Sequence, residues 1–306
     1  MSSVTNSTGS FFNRSLAQMA DLRDGIERTR TQIATGRKFE RGSQDPAGAA
    51  QLRSIDRRAA LAEAESDNAV RLGQDLGAAA TEVEAVTALL QRARELAVQA
   101  ANTATGADGR QAIAFELAQL SQELFTRANS ASLTGEPLFA GQSSGLAFSR
   151  DAAGTVTYIG TPESGAVPVA PGTAIERGLP GSEKFTFNLN GSPSSAFAVL
   201  DGLVAALQGG APDPVAAAKS ALEGIDAALD TAGRATAILG TRMAWVEQVE
   251  AQQADRKIAR AERRSRVGDT DIADAIARLQ QSLTALEATQ SAFARVSSLT
   301  LFDALR

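Results

Sequence analysis

The pentapeptide GQSSG at positions 141–145 has the G-x-S-x-G spacing of a serine hydrolase nucleophile turn, with Ser143 in the nucleophile position. That chemistry needs a base, normally histidine, to take the proton of the serine hydroxyl. The chain contains no histidine, and no clear strand and helix flank the motif. We therefore interpret Ser143 as part of a flexible loop and keep a serine hydrolase only as an alternative.

Three aspartates near the C-terminus, Asp269, Asp271 and Asp274, have a spacing that partly resembles a calcium-binding loop. The glycine required at the sixth position of such a loop is replaced by Asp274, and the closing acidic residue by Gln280. Acidic side chains at the start of a helix are better explained by the positive end of the helix dipole. Cysteine is absent as well, which excludes a disulfide framework, a thiolate nucleophile and a zinc cluster. We predict no catalytic, metal-binding or cofactor-binding residue, and no enzyme.

The basic cluster RKIARAERRSR, at positions 256–266, is interrupted by Glu262 and contains no aromatic residue that could stack on a base. The whole chain carries a net charge of −5, which disfavours binding to nucleic acid or to an anionic membrane. No apolar run approaches the roughly 20 residues needed to span a bilayer. We therefore expect neither nucleic acid nor membrane as a partner, and interpret the cluster as a solvated helix face or a lattice contact.

The elements that position these residues are mainly helical. Large apolar residues recur every three or four positions from about Phe12, and Gly36 predicts the end of the first helix. Asp45 and Pro46 predict the N-cap and first residue of a second helix that runs to about Ala101. A third helix is predicted after Asp108, and a long returning helix is predicted over residues 213–267, before the sequence GDT breaks the pattern.

The middle of the chain differs in character. Between positions 131 and 211, Gly, Pro, Ser and Thr are frequent and the helical periodicity disappears. The segments TVTYIG and KFTFNLNG alternate apolar and polar residues as half-buried strands do, and RDAAGTV predicts a hairpin turn. The fold class expected is mainly α, a long helical bundle with paired coiled-coil terminal helices and a small β-rich inserted domain.

Two apolar stripes occupy the ends of the chain. Both step alternately by three and four residues, which places them along one side of a helix, so each stripe offers the other an apolar partner. The alternative is that each stripe packs on the chain's own core. We predict that these stripes and the apolar residues beyond them form an assembly seam, loose in the monomer and ordered among further copies: Met19, Leu22, Ile26, Ile33, Ile272, Ile276, Leu279, Leu283, Leu286, Phe293, Leu299, Leu301, Phe302 and Leu305.

These patterns predict three domains, two of which combine distant parts of the chain. Residues 1–44 with 267–306 would form a terminal coiled-coil domain. Residues 45–130 with 212–266 would form a helical rod, and residues 131–211 a β-rich outer domain.

Several motifs resemble the flagellin superfamily of bacterial flagellar axial proteins. They include GRKFERGSQDPAGAAQL at 36–52, PLFAG at 137–141, VTYIG at 156–160 and LGTRMAWVE at 239–247. The strongest is DTDIADAIARLQQSLTALEATQSAFARVSSLTLFDAL at 269–305, which follows the family's ending almost throughout. The segments LTLFDAL and QDPAG are more similar to the hook–filament junction members than to filament flagellins, although Gln44 stands where a second aspartate is frequent.

The resemblance implies a non-catalytic, mechanical role as an adaptor ring that joins the hook to the filament. The alternative is a filament-forming flagellin. The implied partners are the first hook-associated protein, flagellin, copies of the chain itself in a ring, and a flagellar export chaperone. The implied location is extracellular, in the flagellum, after export of the unfolded chain through the flagellar type III apparatus. The absence of cysteine suits such export, because a cross-linked loop would not pass a narrow channel.

Overall fold

The computed structural model describes the backbone of residues 2–304, and the side chains of residue 10 and of residues 12–296. Within this part of the chain the helices are α1 (Ser2–Thr35), α2 (Pro46–Ala100), α3 (Ala107–Ala128), α4 (Gly181–Phe185), α5 (Ala196–Ala205), α6 (Pro214–Gly268) and α7 (Ile272–Ala304). A wider helical turn over Ala206–Gly210 follows α5. The strands are β1 (Phe148–Arg150), β2 (Val156–Tyr158), β3 (Ala166–Ala170), β4 (Thr173–Glu176), β5 (Thr186–Leu189) and β6 (Ser192–Ser195).

The chain divides into two compact units. The terminal unit comprises Met1–Ala60 and Arg256–Arg306, and the central unit comprises Leu61–Asp255. The predicted division into three domains uses other boundaries and stays a prediction.

The ends of the first two helices follow from the residues found there. Gly36, just after α1, has a φ of +69°, a conformation that glycine adopts without steric cost, and its N–H donates to the Gln32 carbonyl at 2.9 Å. The Asp45 carboxylate accepts a hydrogen bond from the Gly48 N–H at 2.9 Å and so caps α2. Both helix boundaries predicted from the sequence are confirmed.

In the terminal unit α1 packs against α7. The two connectors in this unit also pair with each other: the Lys38 N–H donates to the Gly268 carbonyl at 2.7 Å, and the Thr270 N–H donates to the Gly36 carbonyl at 2.8 Å. Gly268 is buried, and a Cβ atom there would lie 3.2 Å from the Leu52 side chain. These contacts hold the ends of α1 and α6 and the start of α7 together.

In the central unit the core is formed by α2, α3 and α6. Buried residues of α2 recur alternately after three and four positions, which is the spacing of coiled-coil packing: Ala69, Leu72, Leu76, Ala79, Val83, Val86, Leu90, Ala93, Ala97 and Ala100. The stripe that α6 buries contains Ala218, Ala221, Ile225, Ala228, Ala232, Ala235, Leu239, Val246 and Val249.

The inserted segment of the central unit contains three separate antiparallel hairpins, β1–β2, β3–β4 and β5–β6. Its core is an aromatic cluster in which the Phe148 ring lies 5.2 Å from each of the rings of Tyr158, Phe185 and Phe197. Edge-to-face contacts of this kind stabilise a core beyond the burial of apolar area. The predicted strands in TVTYIG and KFTFNLNG correspond to β2 and β5, and the predicted turn joins β1 to β2.

The fold class predicted from the sequence is confirmed: the chain is mainly helical, its terminal helices pair, and a small segment contains β-hairpins. One difference lies inside that segment. Helix α5 occupies residues that the sequence interpretation assigned to strands and loops, and it packs on α3 with Phe197, Leu200 and Leu203 buried.

Candidate assembly surfaces

The packed face of α1 is the stripe predicted from the sequence. Met19 and Ile26 are buried, with 7% and 4% of their surface exposed, and Leu22 and Ile33 are half-buried. Phe12 extends the stripe towards the N-terminus and is also half-buried. The spacing therefore predicted which side of α1 is covered.

Among the described side chains, the packed face of α7 shares three residues with the predicted stripe. Leu279, Leu286 and Phe293 are half-buried, and the Phe293 ring meets the Phe12 ring edge to face at a centroid distance of 5.1 Å. The positions between them are filled by small or hydroxylated residues that a search for large apolar side chains does not detect: Ala275, Ser282 and Thr289. The residues of the complete packed stripe recur at alternate steps of four and three positions. This spacing is the feature of the sequence from which the packed face of α7 could have been predicted.

Three other residues of the predicted stripe lie beside this packed face and are partly exposed. Ile272, Ile276 and Leu283 are exposed at 41%, 42% and 36% of their surface, and their spacing puts them on one side of α7. We call these three residues the outer stripe. Leu299, Leu301, Phe302 and Leu305, which were also predicted to join the seam, lie outside the described side chains.

The outer stripe is a row of three exposed apolar side chains on one helix. Single exposed apolar residues are ordinary on protein surfaces, whereas large contiguous apolar patches mark contacts with other molecules. The terminal helices therefore present two apolar faces, one packed between α1 and α7 and one uncovered in the isolated chain.

A cleft of about 790 Å³ lies in the terminal unit beside the paired connectors. Charged side chains of both signs line it, among them Glu27, Arg28, Lys38, Arg266 and Asp269. Charged groups of both signs make it unlike the mostly apolar pockets that bind small organic molecules.

The aspartates that resembled a calcium loop have structural partners. The Asp271 carboxylate accepts hydrogen bonds from the Ala273 N–H at 3.0 Å and the Asp274 N–H at 3.2 Å, and so caps α7. Asp274 forms an ion pair with Arg278 at 3.1 Å. Among the residues that the structure describes, no group of three or more His, Cys, Asp or Glu side chains could hold a metal ion.

Ser143 lies in a turn between α3 and β1. Its N–H donates to the Ala140 carbonyl at 3.2 Å, and its hydroxyl accepts a hydrogen bond from the Gly145 N–H at 3.3 Å. These two hydrogen bonds give Ser143 a structural role in the turn. In the described part of the chain no helix has the length and hydropathy to cross a membrane.

Two arginines connect the inserted segment to the long helices of the central unit. Arg242 of α6 donates to the Gly178 carbonyl at 2.6 Å and forms an ion pair with Glu176. Arg177 forms ion pairs with Asp75 of α2, at 3.2 Å, and with Glu136. This gives a structural reason for the arginine of the LGTRMAWVE motif.

A lysine is buried in the central unit. Lys184 is only 3% exposed, and its Nζ lies 4.0 Å from the centre of the Phe139 ring and 4.8 Å from that of the Phe185 ring. The Nζ has no hydrogen-bond partner among the described residues. Burial lowers the pKa of Lys184 to about 7, an effect that the nearby Glu82 carboxylate opposes.

Comparison with known proteins gives consistent results. The family model described as the bacterial flagellin N-terminal helical region matches residues 7–144. Flagellar hook-associated protein 3 of Escherichia coli (strain K12) is 27% identical over 298 residues, which cover 89% of this chain and 90% of that protein.

Two solved structures share the fold. A flagellar hook-associated protein from Vibrio parahaemolyticus gives a TM-score of 0.67 at 19% identity, covering 74% of this chain and 99% of that chain. Hook-associated protein 3 from Legionella pneumophila gives a TM-score of 0.64 at 15% identity, covering 71% of this chain and 98% of that chain. These comparisons confirm the resemblance to the flagellin superfamily, and the chain shares the fold of its hook-associated proteins.

Proposed function

We propose that this chain is a structural component of the bacterial flagellum, an adaptor that joins the hook to the flagellin filament and performs no catalysis. The observation that carries the proposal is the similarity to flagellar hook-associated protein 3, which extends over 89% of the chain. This similarity to a hook-associated protein favours the junction role over that of a filament-forming flagellin.

In this role the chain would contact hook and filament components. We propose the first hook-associated protein and flagellin as its two neighbours, further copies of the chain as members of one ring, and an export chaperone as a partner before assembly. The chain would reach the cell exterior unfolded through the flagellar type III apparatus. The absence of cysteine supports this route, because no disulfide can form before export is complete.

The outer stripe is the surface that we assign to contacts between subunits. The inner face of α7 already has a partner in α1, whereas Ile272, Ile276 and Leu283 have much of their apolar surface exposed. Burial of these side chains against a neighbouring subunit would contribute roughly 1 kcal/mol or more for each residue, since part of each is already covered. A ring or tube repeats this contribution at every interface.

The test is a triple variant of the outer stripe, Ile272→Gln, Ile276→Gln and Leu283→Gln. Glutamine keeps a high helix propensity and removes the apolar surface, so we expect unchanged helicity by circular dichroism. In cells that lack the native protein, the variant should be exported without restoring swimming or filament attachment. Normal motility with attached filaments would overturn the proposal.

A matched control removes exposed apolar surface elsewhere. Val98, Ile159 and Ile238 of the central unit are exposed at 49%, 53% and 39% of their surface, similar to the outer stripe. The triple Gln variant of these residues should restore motility if the outer stripe is specific. Purified wild-type protein that polymerises by itself into long filaments would instead support a flagellin.

A further inference from the structure

The net charge of the whole chain is the sum of two larger net charges of opposite sign, one in each unit. The terminal unit contains 19 Lys and Arg against 12 Asp and Glu, a net charge of +7. The central unit contains 11 Lys and Arg against 23 Asp and Glu, a net charge of −12. The two values add to the −5 of the whole chain, so one copy carries two surfaces of opposite sign.

The positive charge is concentrated in two helical segments of the terminal unit, residues 46–60 of α2 and residues 256–268 of α6, which we call the basic band. Arg264 on α6 pairs with Asp56 on α2 at 3.0 Å, and Arg266 pairs with Glu262 at 3.8 Å. Asp56 and Glu262 are the only acidic residues in these segments. All the basic residues of the band are exposed except the half-buried Arg260: Arg53, Arg57, Arg58, Arg256, Lys257, Arg263, Arg264 and Arg266.

A complementary surface occurs in the central unit. Residues 61–70 of α2 and 246–255 of α6, which we call the acidic band, contain six carboxylates and no Lys or Arg. All six are exposed or half-buried: Glu63, Glu65, Asp67, Glu247, Glu250 and Asp255. Both bands are displayed on helices, which fix the spacing of the charges.

We propose that the basic band of one copy binds the acidic band of a neighbouring copy. The charges of the bands are opposite and nearly equal, +7 and −6, so a head-to-tail contact between copies neutralises both. Exposed charges are screened beyond about 8 Å at physiological salt, so the bands act only when they are in contact. The inference rests on the proposed function, because it specifies how copies meet in the flagellum.

A second copy fits the basic band better than a nucleic acid or an anionic lipid surface does. The band contains no aromatic side chain on which a base could stack. Every copy also carries the acidic band, which attracts a basic neighbour and repels a polyanion.

The test uses two full-length charge-reversal variants. The first changes exposed residues of the basic band, Arg57→Glu, Lys257→Glu and Arg263→Glu. In low salt, about 50 mM, we expect its self-association measured by sedimentation to weaken roughly tenfold or more relative to wild type, and wild-type association to weaken on raising the salt to about 500 mM.

The second variant changes exposed residues of the acidic band, Glu63→Lys, Asp67→Lys and Glu247→Lys, and should also associate poorly by itself. In a mixture of the two variants, the unchanged basic band of the second variant can meet the unchanged acidic band of the first, so we expect mixed pairs to form within about threefold of the wild-type affinity. Restoration by mixing separates a charge contact from a general loss of stability.

The proposal is overturned if wild type does not self-associate, if either variant associates like wild type, or if mixing restores nothing. Duplex DNA or phosphatidylserine vesicles that bind wild type but not the first variant, with self-association unchanged, would assign the band to a polyanion instead. The proposed function is tested separately, by the outer-stripe variant. If the charge-reversal variants assembled a normal junction, this inference would be wrong and the proposed function would be unaffected.

Discussion

The buried lysine makes the stability of the central unit depend on pH in a range where few other groups of the chain are expected to titrate. The chain has no histidine and no cysteine, so between pH 6 and pH 9 the groups expected to titrate are Lys184 and the terminal amine. Tyr158, whose pKa is raised above its ordinary value by burial, stays protonated in this range. A slope in stability can therefore be assigned to one side chain.

The sign follows from the direction of the pKa shift. In the unfolded chain Lys184 holds its proton up to its ordinary pKa of 10.5, whereas the folded chain releases it at about 7. The unfolded state thus binds more protons between these values, so stability rises with pH from about 7 to 10.5. Below about pH 7 the full cost of burying the ammonium is present and the dependence levels off.

The magnitude follows from the same two pKa values. Between pH 7 and pH 9 the free energy of unfolding should rise by about 2 kcal/mol. Urea unfolding followed by circular dichroism measures this rise, and Lys184→Met should abolish it because methionine fills a similar volume without a charge. The control is Lys219→Met, since Lys219 lies exposed on α6.

A slope that survives in Lys184→Met would refute this reasoning, because the group responsible would then lie elsewhere. So would a wild-type protein with equal stability at pH 7 and pH 9. The terminal amine contributes equally to the pH dependence of wild type and of Lys184→Met, so its contribution cancels when the two are compared.

Further predictions concern the packing and cross-links of the central unit. In Gly224→Ala the added methyl group would lie 2.6 Å from the Val199 side chain, so calorimetry should show a loss of roughly 1–3 kcal/mol. Gly233→Ala has no heavy atom within 4 Å of the new methyl group and should gain up to about 1 kcal/mol; losses at both positions would contradict the packing described. Arg242→Met leaves the Gly178 carbonyl without its donor, so hydrogen exchange around that residue should accelerate, with a loss of about 1–3 kcal/mol, and unchanged exchange would argue against the cross-link.

The sequence predicted most of the covered side of α1 and part of that of α7. On α1 the large residues Met19, Leu22 and Ile26 all face the partner helix, so counting large side chains finds the packed face. On α7 the packed face alternates large residues with Ala275 and Ser282, whereas the stripe of large residues lies partly outside it. When two stripes on one helix have the same period, only the position of the partner helix shows which of them is packed.

The inserted segment shows a different limit of sequence reasoning. Helix α5 is apolar almost throughout, and its exposed side carries Ala198, Gly202 and Ala205 instead of charged residues, so it has no polar face to produce a helical period. Lys184 follows an acidic residue in a polar stretch, which is typical of a surface position. Its burial between Phe139 and Phe185 depends on how the segment folds back, which local sequence does not specify.

Chemical labelling of one position tests the central claim most directly. The chain has no cysteine, so Ile276→Cys introduces a single thiol into the outer stripe. Flagella carrying this variant and the free purified protein are treated with the same maleimide, with Ile238→Cys as the control on α6. We predict that the thiol at position 276 reacts readily in the free protein and is protected in flagella, and equal labelling in both states would contradict the account.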